Sequence, residues 1–493
     1  MGCLSRQRRK SLSEINKSTG VIQSQENYHS TQDHLVCQPK APKENATGIS
    51  WPKANDDRWY ALDEELSFIL QNTLKGSIDT KLEAFTRIAH SLCLDRFGSA
   101  NKTKGKTVQT ANRRQRDKGR LRVEQRMLKK KLKEMPNDRD LVKKQLVEVK
   151  EKILAIARAE NARKRRLRKR KARRDFEKNP FKFTKKLFEE EKSGVLNVPK
   201  EVLEAHLQEK FSDPLSDIPL GNFAHLNRPS PPEERFDTSP IKLGEVKDFV
   251  RKTRAKSSPG INGISYKLYK RCPKVLALLW KLLKKAQEKG FIAENWGLAN
   301  GIHIPKEKDS KEIDQFRPIS LLNVEGKIFF GVIAKRMTDF LLKNGFVNTS
   351  IQKAGVPGFP GCIEHTAMLW DRIKTAKTEK IPELHVIWLD LANAYGSVRH
   401  NLIDKAMEFF WIPDDIKNLI LRYFKCTYLR FSNNKYSTSW QKLNIGIMMG
   451  CVISPLLFVM VMEMLLRSAE DITNKNIDPS MKAFMDDITL VTK

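Results

Sequence analysis

The sequence predicts an α+β fold on three observations: helical apolar spacing in the first third of the chain, a strand-length apolar run ending in an aspartate, and an acidic pair between two short β-prone segments near the C-terminus. With 493 residues there is room for two or three domains and a sizeable core.

Residues 1–50 are rich in Ser, Gln, Asn and Lys and poor in large apolar groups, so they read as a disordered tail. From Trp51 the pattern changes. Trp59, Leu62, Leu66, Ile69 and Leu70, then Leu82, Phe85, Ile88 and Leu92 after Gly76, recur at helical spacing and define a small helical module over 51–100. A basic helical hairpin follows over 101–178: one helix from Arg113 to Glu134, a turn at Pro136-Asn137-Asp138, and a long helix from Arg139 to Phe176. Its apolar stripe is Val142, Leu146, Val149, Ile153 and Ile156. Residues 179–240 form a connector that ends in a linker, since Pro229, Pro231, Pro232 and Pro240 crowd one stretch. Beyond it the composition is that of a globular domain to Lys493.

Charge narrows the class of partner. The chain carries 91 Lys and Arg against 58 Asp and Glu, a formal net charge of +33. Such an excess points to a polyanion, either nucleic acid or an acidic surface. Between Asn101 and Arg174 there are 30 basic and 8 acidic residues, so most of the surplus lies in the hairpin. Arg163, Lys164, Arg165, Arg166, Arg168, Lys169, Arg170 and Lys171 leave no apolar face at all. Two readings stay open for this run, a clamp on a nucleic-acid backbone and a solvated helix that doubles as a nuclear import signal.

Several classes are disfavoured. The seven cysteines (Cys3, Cys37, Cys93, Cys272, Cys362, Cys426 and Cys451) are far apart and make no C-x-x-C pair, which argues against a disulfide framework or zinc module and fits a reducing compartment, nuclear or cytoplasmic. The first 50 residues hold no apolar signal-like core. The most apolar run, Cys451 to Leu466, contains Pro455 and Glu463 and is shorter than the roughly 20 residues of a spanning helix, so no membrane partner is expected. Met1-Gly2-Cys3 suggests acylation, but Arg6 stands where that pattern requires Ser or Thr, and chance explains it better.

The chemistry concentrates at two segments. His385-Val386-Ile387-Trp388-Leu389-Asp390 reads as a central buried strand ending in a carboxylate. Ala483-Phe484-Met485-Asp486-Asp487 with Ile488 to Val491 reads as a tight hairpin with two acids at its tip. Carboxylates gathered in one place repel and raise one another's pKa unless a cation neutralises them. Mg²⁺ does so with hard oxygen ligands and keeps positions open for phosphate and water, and two such ions can drive an in-line phosphoryl transfer. An Asp-Asp pair by itself says little: Asp56-Asp57 and Asp414-Asp415 also occur, the latter as an ordinary helix start after Pro413.

The company of these acids is more specific. Gly355-Val356-Pro357-Gly358-Phe359-Pro360-Gly361-Cys362, Leu389-Asp390-Leu391-Ala392-Asn393-Ala394-Tyr395-Gly396-Ser397-Val398, Gly446 to Phe458 (GIMMGCVISPLLF) and Phe484-Met485-Asp486-Asp487 resemble successive blocks of the reverse transcriptases of retrotransposons without long terminal repeats. Upstream, Lys256 to Ile264 (KSSPGINGI), Ile304-Pro305-Lys306 and Phe316-Arg317-Pro318-Ile319-Ser320 resemble the fingers of that family. The resemblance spans roughly residues 241–493, and implies right-hand polymerase fingers over 241–380 and a partial palm over 381–493.

It further implies an RNA-directed DNA polymerase whose partners are an RNA template, a DNA primer and deoxynucleotide triphosphates, working with two Mg²⁺ (or Mn²⁺) ions. Asp390, Asp486 and Asp487 would be the catalytic acids and metal ligands. Tyr395 would be an aromatic gate under the nucleotide sugar, Lys306 and Arg317 would face the triphosphate, and Gly446 and Gly450 would form a loop close to template and nucleotide. Solvated basic residues on a hairpin, and plain turn glycines, are the competing readings for those last two pairs. Met449 departs from the polar amide residue common in the family, and Asn262 from a common Asp. Lys493 comes six residues after Asp487, so the resemblance also implies a chain cut short of the rest of the palm and the thumb. The rival expectation is a catalytically incompetent remnant that only binds nucleic acid.

Overall fold

The computed structural model describes residues 46–100, 113–134, 139–188, 193–223, 226–355, 363–381, 383–433, 435–473 and 480–492. The expected tail up to residue 45, the turn at 136–138 and most of the Gly355–Cys362 block lie outside the described residues. Helices and strands are mixed, as the apolar periodicities require.

Helix α1 (Arg58–Thr73) and helix α2 (Ile78–Phe97) follow the sequence pattern: Trp59, Leu62, Leu66 and Leu70 are buried on one, Leu82, Phe85, Ala89 and Cys93 on the other. Ser77 caps α2 by accepting from the Thr80 N–H at 3.2 Å, and Gly98 closes it at a positive φ of 78°. Their apolar faces belong to the main core, against the helix Pro273–Glu288. One buried acid from α1 completes that helix. Asp63 accepts from the backbone N–H groups of Lys274 (3.1 Å) and Val275 (3.0 Å), which otherwise lack partners because Cys272 provides no side-chain cap.

Helix α3 (Arg113–Glu134) and helix α4 (Arg139–Lys178) make the basic hairpin. Leu128 packs with Val142, Leu146 and Val149, flanked by Leu121, Leu132 and Ile153, in a small core of their own. With 40 residues α4 is about 60 Å long. Its second half has outrun that core, and every residue from Arg163 to Lys171 is exposed.

Two sheets follow. Strands β1 (Leu298–Pro305), β2 (Phe316–Leu321), β4 (Tyr428–Phe431) and β5 (Gln441–Lys442) form one, in the order β2-β1-β4-β5. Strands β3 (His385–Leu389), β6 (Ser480–Phe484) and β7 (Asp487–Thr492) form the other, in the order β3-β7-β6. The expectation of a central, buried β3 is corrected here: among the described residues it pairs only with β7, and Ile387, Trp388 and Leu389 are 45%, 69% and 46% exposed. A short apolar run shows strand propensity, but the number of neighbours is set by residues far away in sequence.

The Pro-rich stretch before residue 241 has no regular structure, yet it is a pinned strap rather than a free linker. Asn344 binds both backbone groups of Glu234 (2.9 and 3.0 Å), and the Trp411 indole N–H donates to the Pro229 carbonyl at 3.0 Å. Arg336, on the core helix Val324–Lys343, donates to the Asp237 and Ser239 carbonyls while its other edge pairs with Glu245 at 2.6 Å.

The same helix carries Glu325, 1% exposed. It accepts from the Tyr269 hydroxyl (2.5 Å) and the Asn262 amide (2.8 Å), and burial raises its pKa. This accounts for Asn262: an aspartate there would set a second carboxylate against a buried one. Replacing Asn262 by Asp should therefore cost about 1–3 kcal/mol at neutral pH. The coupled acids would have raised pKa values, a penalty that grows as pH rises above the ordinary carboxyl range and fades below it. Urea denaturation of both proteins at several pH values should show the gap closing on acidification.

Candidate active site

The acid hairpin is as tight as a hairpin can be. Phe484 pairs with Asp487, leaving only Met485 and Asp486 in the turn, and Met485 takes up a left-handed φ of 59°. On its other side β7 pairs with β3, with Leu389 opposite Ile488. One further step of that register sets Asp390 opposite Asp487.

Asp390, Asp486 and Asp487 are thus set at the same end of the sheet. Desolvation, then the charges of Asp486 and Asp390, push the Asp487 carboxyl above its ordinary pKa. The Tyr395 phenol is pushed up to about 12 by burial first and Asp486 second, so it shares the same field. Among the described residues no three acidic, His or Cys side chains are gathered closely enough to form a ready metal-ligand set. Their chemistry nevertheless suits a hard cation, because all are oxygen donors and their mutual repulsion is what a cation would relieve.

Tyr395 sits in a short turn, Ala394–Gly396, entered through Asn393 at a φ of 53°. The Asn393 carbonyl accepts from the N–H groups of Gly396 (2.8 Å) and Ser397 (3.0 Å), and the tyrosine ring lies 5.0 Å from that of Phe458. The loop from Gly446 to Cys451 is stitched to this turn on one side and to β2 on the other. Ile447 N–H donates to the Tyr395 carbonyl and Gly446 N–H to that of Val398, each at 2.8 Å, and Ser320 N–H donates to the Met449 carbonyl at 2.7 Å. Gly450 combines a φ of 115° with contact so close that a Cβ would stand 2.4 Å from the Ser320 carbonyl oxygen. Close backbone approach thus accounts for that glycine.

Lys306 and Arg317 share one face of the β1–β2 hairpin, where Ile304 is opposite Arg317 and the Lys306 N–H donates to the Gln315 carbonyl. Both are exposed, and the Lys306 ammonium is tied to the Asp314 carbonyl at 2.6 Å. Among the described residues no hydrogen bond or ion pair joins either to the acids; their link to the site is β2 itself. Arg317 lies three residues, about 10 Å, from the Ser320 junction.

One residue of this site has no sequence pattern to announce it. Gln352, fully buried, is hydrogen bonded to the backbone of Met485 in the acidic turn. A single Gln in Ile351-Gln352-Lys353 carries no signal until the hairpin is folded beside it.

The C-terminal part of the chain, which carries these residues, has known relatives. Residues 304–493 match the family model described as reverse transcriptase (RNA-dependent DNA polymerase). The Pol polyprotein of the type-1 retrotransposable element R2 from Nasonia vitripennis is 27% identical over 229 residues, 46% of this chain and 21% of its own length. The RNA-directed DNA polymerase from mobile element jockey of Drosophila melanogaster is 26% identical over 236 residues, 46% of this chain and 25% of its own. The chain thus spans about a quarter of the length of such relatives. Among solved structures, apo telomerase from Candida tropicalis truncated from its C-terminal domain covers 41% of this chain and 44% of its own at 12% identity, with a TM-score of 0.29, too slight a likeness to bear on the fold. By the matched family model and the related polyproteins, residues 304–493 are similar to a reverse transcriptase domain, and the segments that carry Asp390, Asp486 and Asp487 fall within the matched span.

Proposed function

We propose that this chain copies RNA into DNA, joining deoxynucleotides to a primer by two-metal nucleotidyl transfer. The observation that carries the reading is the β3–β7–β6 register, which collects Asp390, Asp486 and Asp487 at one sheet end beside Tyr395. Residues 241–380 act as fingers and 381–493 as part of a palm.

Asp390 and Asp486 are the direct cation ligands, with Asp487 beside them. Two Mg²⁺ (or Mn²⁺) ions bound there supply neutralisation of phosphate charge and activation of the primer hydroxyl. Lys306 places a point charge, and Arg317 a planar fork of donors, against the incoming triphosphate. The Tyr395 ring lies under the sugar and leaves no room for a 2′-hydroxyl. The loop around Gly450 brings backbone close to template and nucleotide. The exposed run Arg163–Lys171 holds phosphates of the RNA, and also suits nuclear import. No described helix is long and apolar enough to cross a membrane.

Extension of a primed RNA template by the purified chain is the direct test. Replacing Asp390 or Asp486 by Asn should lower the rate by roughly a hundredfold or more and abolish any rise in thermal midpoint on adding Mg²⁺. Because Asp487 has a raised pKa, protons should displace the cation sooner on acidification than they would from ordinary carboxylates. A catalytically incompetent remnant would bind RNA and show neither effect.

Replacing Tyr395 by Val should raise ribonucleotide relative to deoxynucleotide incorporation by about tenfold or more. An unchanged ratio in single-nucleotide extension would make Tyr395 a packing residue against Phe458.

Converting the eight basic residues of Arg163–Lys171 to Gln should flatten the dependence of log RNA affinity on log salt by about 0.7 for each phosphate that is no longer neutralised. A slope equal to wild type between low and moderate salt would leave import as the function of the run.

A further inference from the structure

The strap that delivers Gln352 to the acid hairpin is anchored at every stage. Phe346 gives its carbonyl to Arg467 at 2.9 Å, and Asn348 gives its N–H to Glu463, 1% exposed, at 3.2 Å. Lys482 of β6 donates to the Ser350 carbonyl at 2.8 Å. Gln352 then lies alongside Ala483: the Ala483 N–H donates to the Ile351 carbonyl at 2.9 Å and the Lys353 N–H to the Ala483 carbonyl at 3.3 Å. The strap is thus a one-residue parallel extension of the sheet, on the free side of β6.

The Gln352 side chain reaches past that bridge to the turn. Its Oε1 accepts from the N–H of Met485 at 3.1 Å and from the N–H of Ala354 at 3.0 Å, while its Nε2 donates to the carbonyl of Met485 at 3.3 Å. Both backbone groups of one residue are therefore held by one carboxamide. That residue is the one in left-handed conformation, which L side chains such as methionine rarely adopt unaided. Few side chains could replace this clasp. Glutamate lacks the donor, methionine and leucine lack both functions, and asparagine is one methylene too short.

We propose that Gln352 is a positioning residue for the acidic turn, holding Met485 left-handed so that Asp486 and Asp487 are aimed at the divalent cation. The proposal rests on the reading of Asp390 and Asp486 as cation ligands. Gln352 touches neither cation nor substrate; it acts through the Met485 peptide groups. Because it is fully buried, its carboxamide also depends on these partners, and the strap and the hairpin order each other.

The test uses the full chain with Mn²⁺ as probe, followed by electron paramagnetic resonance, and amide hydrogen exchange at Met485 and Ala354. Gln352→Met keeps the length and removes the clasp. It should speed exchange at those two amides at least tenfold and weaken Mn²⁺ about tenfold, with exchange in the helix Val324–Lys343 unchanged. Gln352→Glu keeps the shape in case the first variant folds poorly, and distinguishes positioning from packing. Protonation restores its donor, so its exchange protection and Mn²⁺ affinity, each relative to wild type at the same pH, should recover as pH falls. Absence of that recovery, or wild-type exchange at Met485 in Gln352→Met, would overturn the proposal. An Mn²⁺ affinity that depends on Asp390 and Asp486 but not on Gln352 would overturn it alone. Mn²⁺ binding that survives Asp390→Asn and Asp486→Asn would remove the cation reading and the proposal with it.

Discussion

The two-residue turn between β6 and β7 is the constraint on which the site depends. A hairpin that short needs positive φ in its turn, and here Met485, not a glycine, meets that demand. The backbone strain is local, but it fixes where two adjacent acids stand. With the β3 register beside it, a third acid is brought level without any loop being needed to carry it. Hydrogen bonds within and between strands therefore do most of the positioning, and the carboxylates bring only charge.

Around that end of the sheet the backbone is used repeatedly as both rope and spacer. The Tyr395 turn, the Gly446–Cys451 loop and β2 are joined by main-chain hydrogen bonds, so these elements are tied to one another rather than hung separately from the core. Glycine at 450 permits the closest of these approaches. Such a stack resists small displacements, which matters for any reaction governed by alignment of a hydroxyl with a phosphate.

Elsewhere buried polar groups set the frame. Arg336 fastens the proline-rich strap, Asp63 finishes a helix that is not its own, and Glu325 gathers Tyr269 and Asn262. Each is a fully or nearly satisfied network, and losing one partner would strand the others in a water-poor interior. Charge is distributed in the opposite manner. Much of the basic surplus lies on the hairpin, and the run Arg163–Lys171, exposed throughout and lying between the small hairpin core and the Phe176–Phe183 contact, can meet a polyanion without disturbing the core.

By itself the sequence determined what local chemistry dictates. The apolar spacing of Leu62, Leu66, Leu82 and Phe85, the stripe Val142–Leu146–Val149, the hairpin around Asp486-Asp487 and the helix start at Asp414 were all legible, because each follows from neighbours within a turn or two of helix or strand. So were the blocks that resemble a reverse transcriptase, most of which fall within the span that the family model matches. Tertiary structure alone decided the rest: that β3 has one strand neighbour among the described residues, that the prolines form a fastened strap, that Asn262 answers a buried Glu325, and that Gln352 grips the turn. In all four the partner lies about 60 to 180 residues away or on another strand. Hydrogen-bond complementarity over such separations leaves no period in the chain, so it exists only once the fold has brought the groups together.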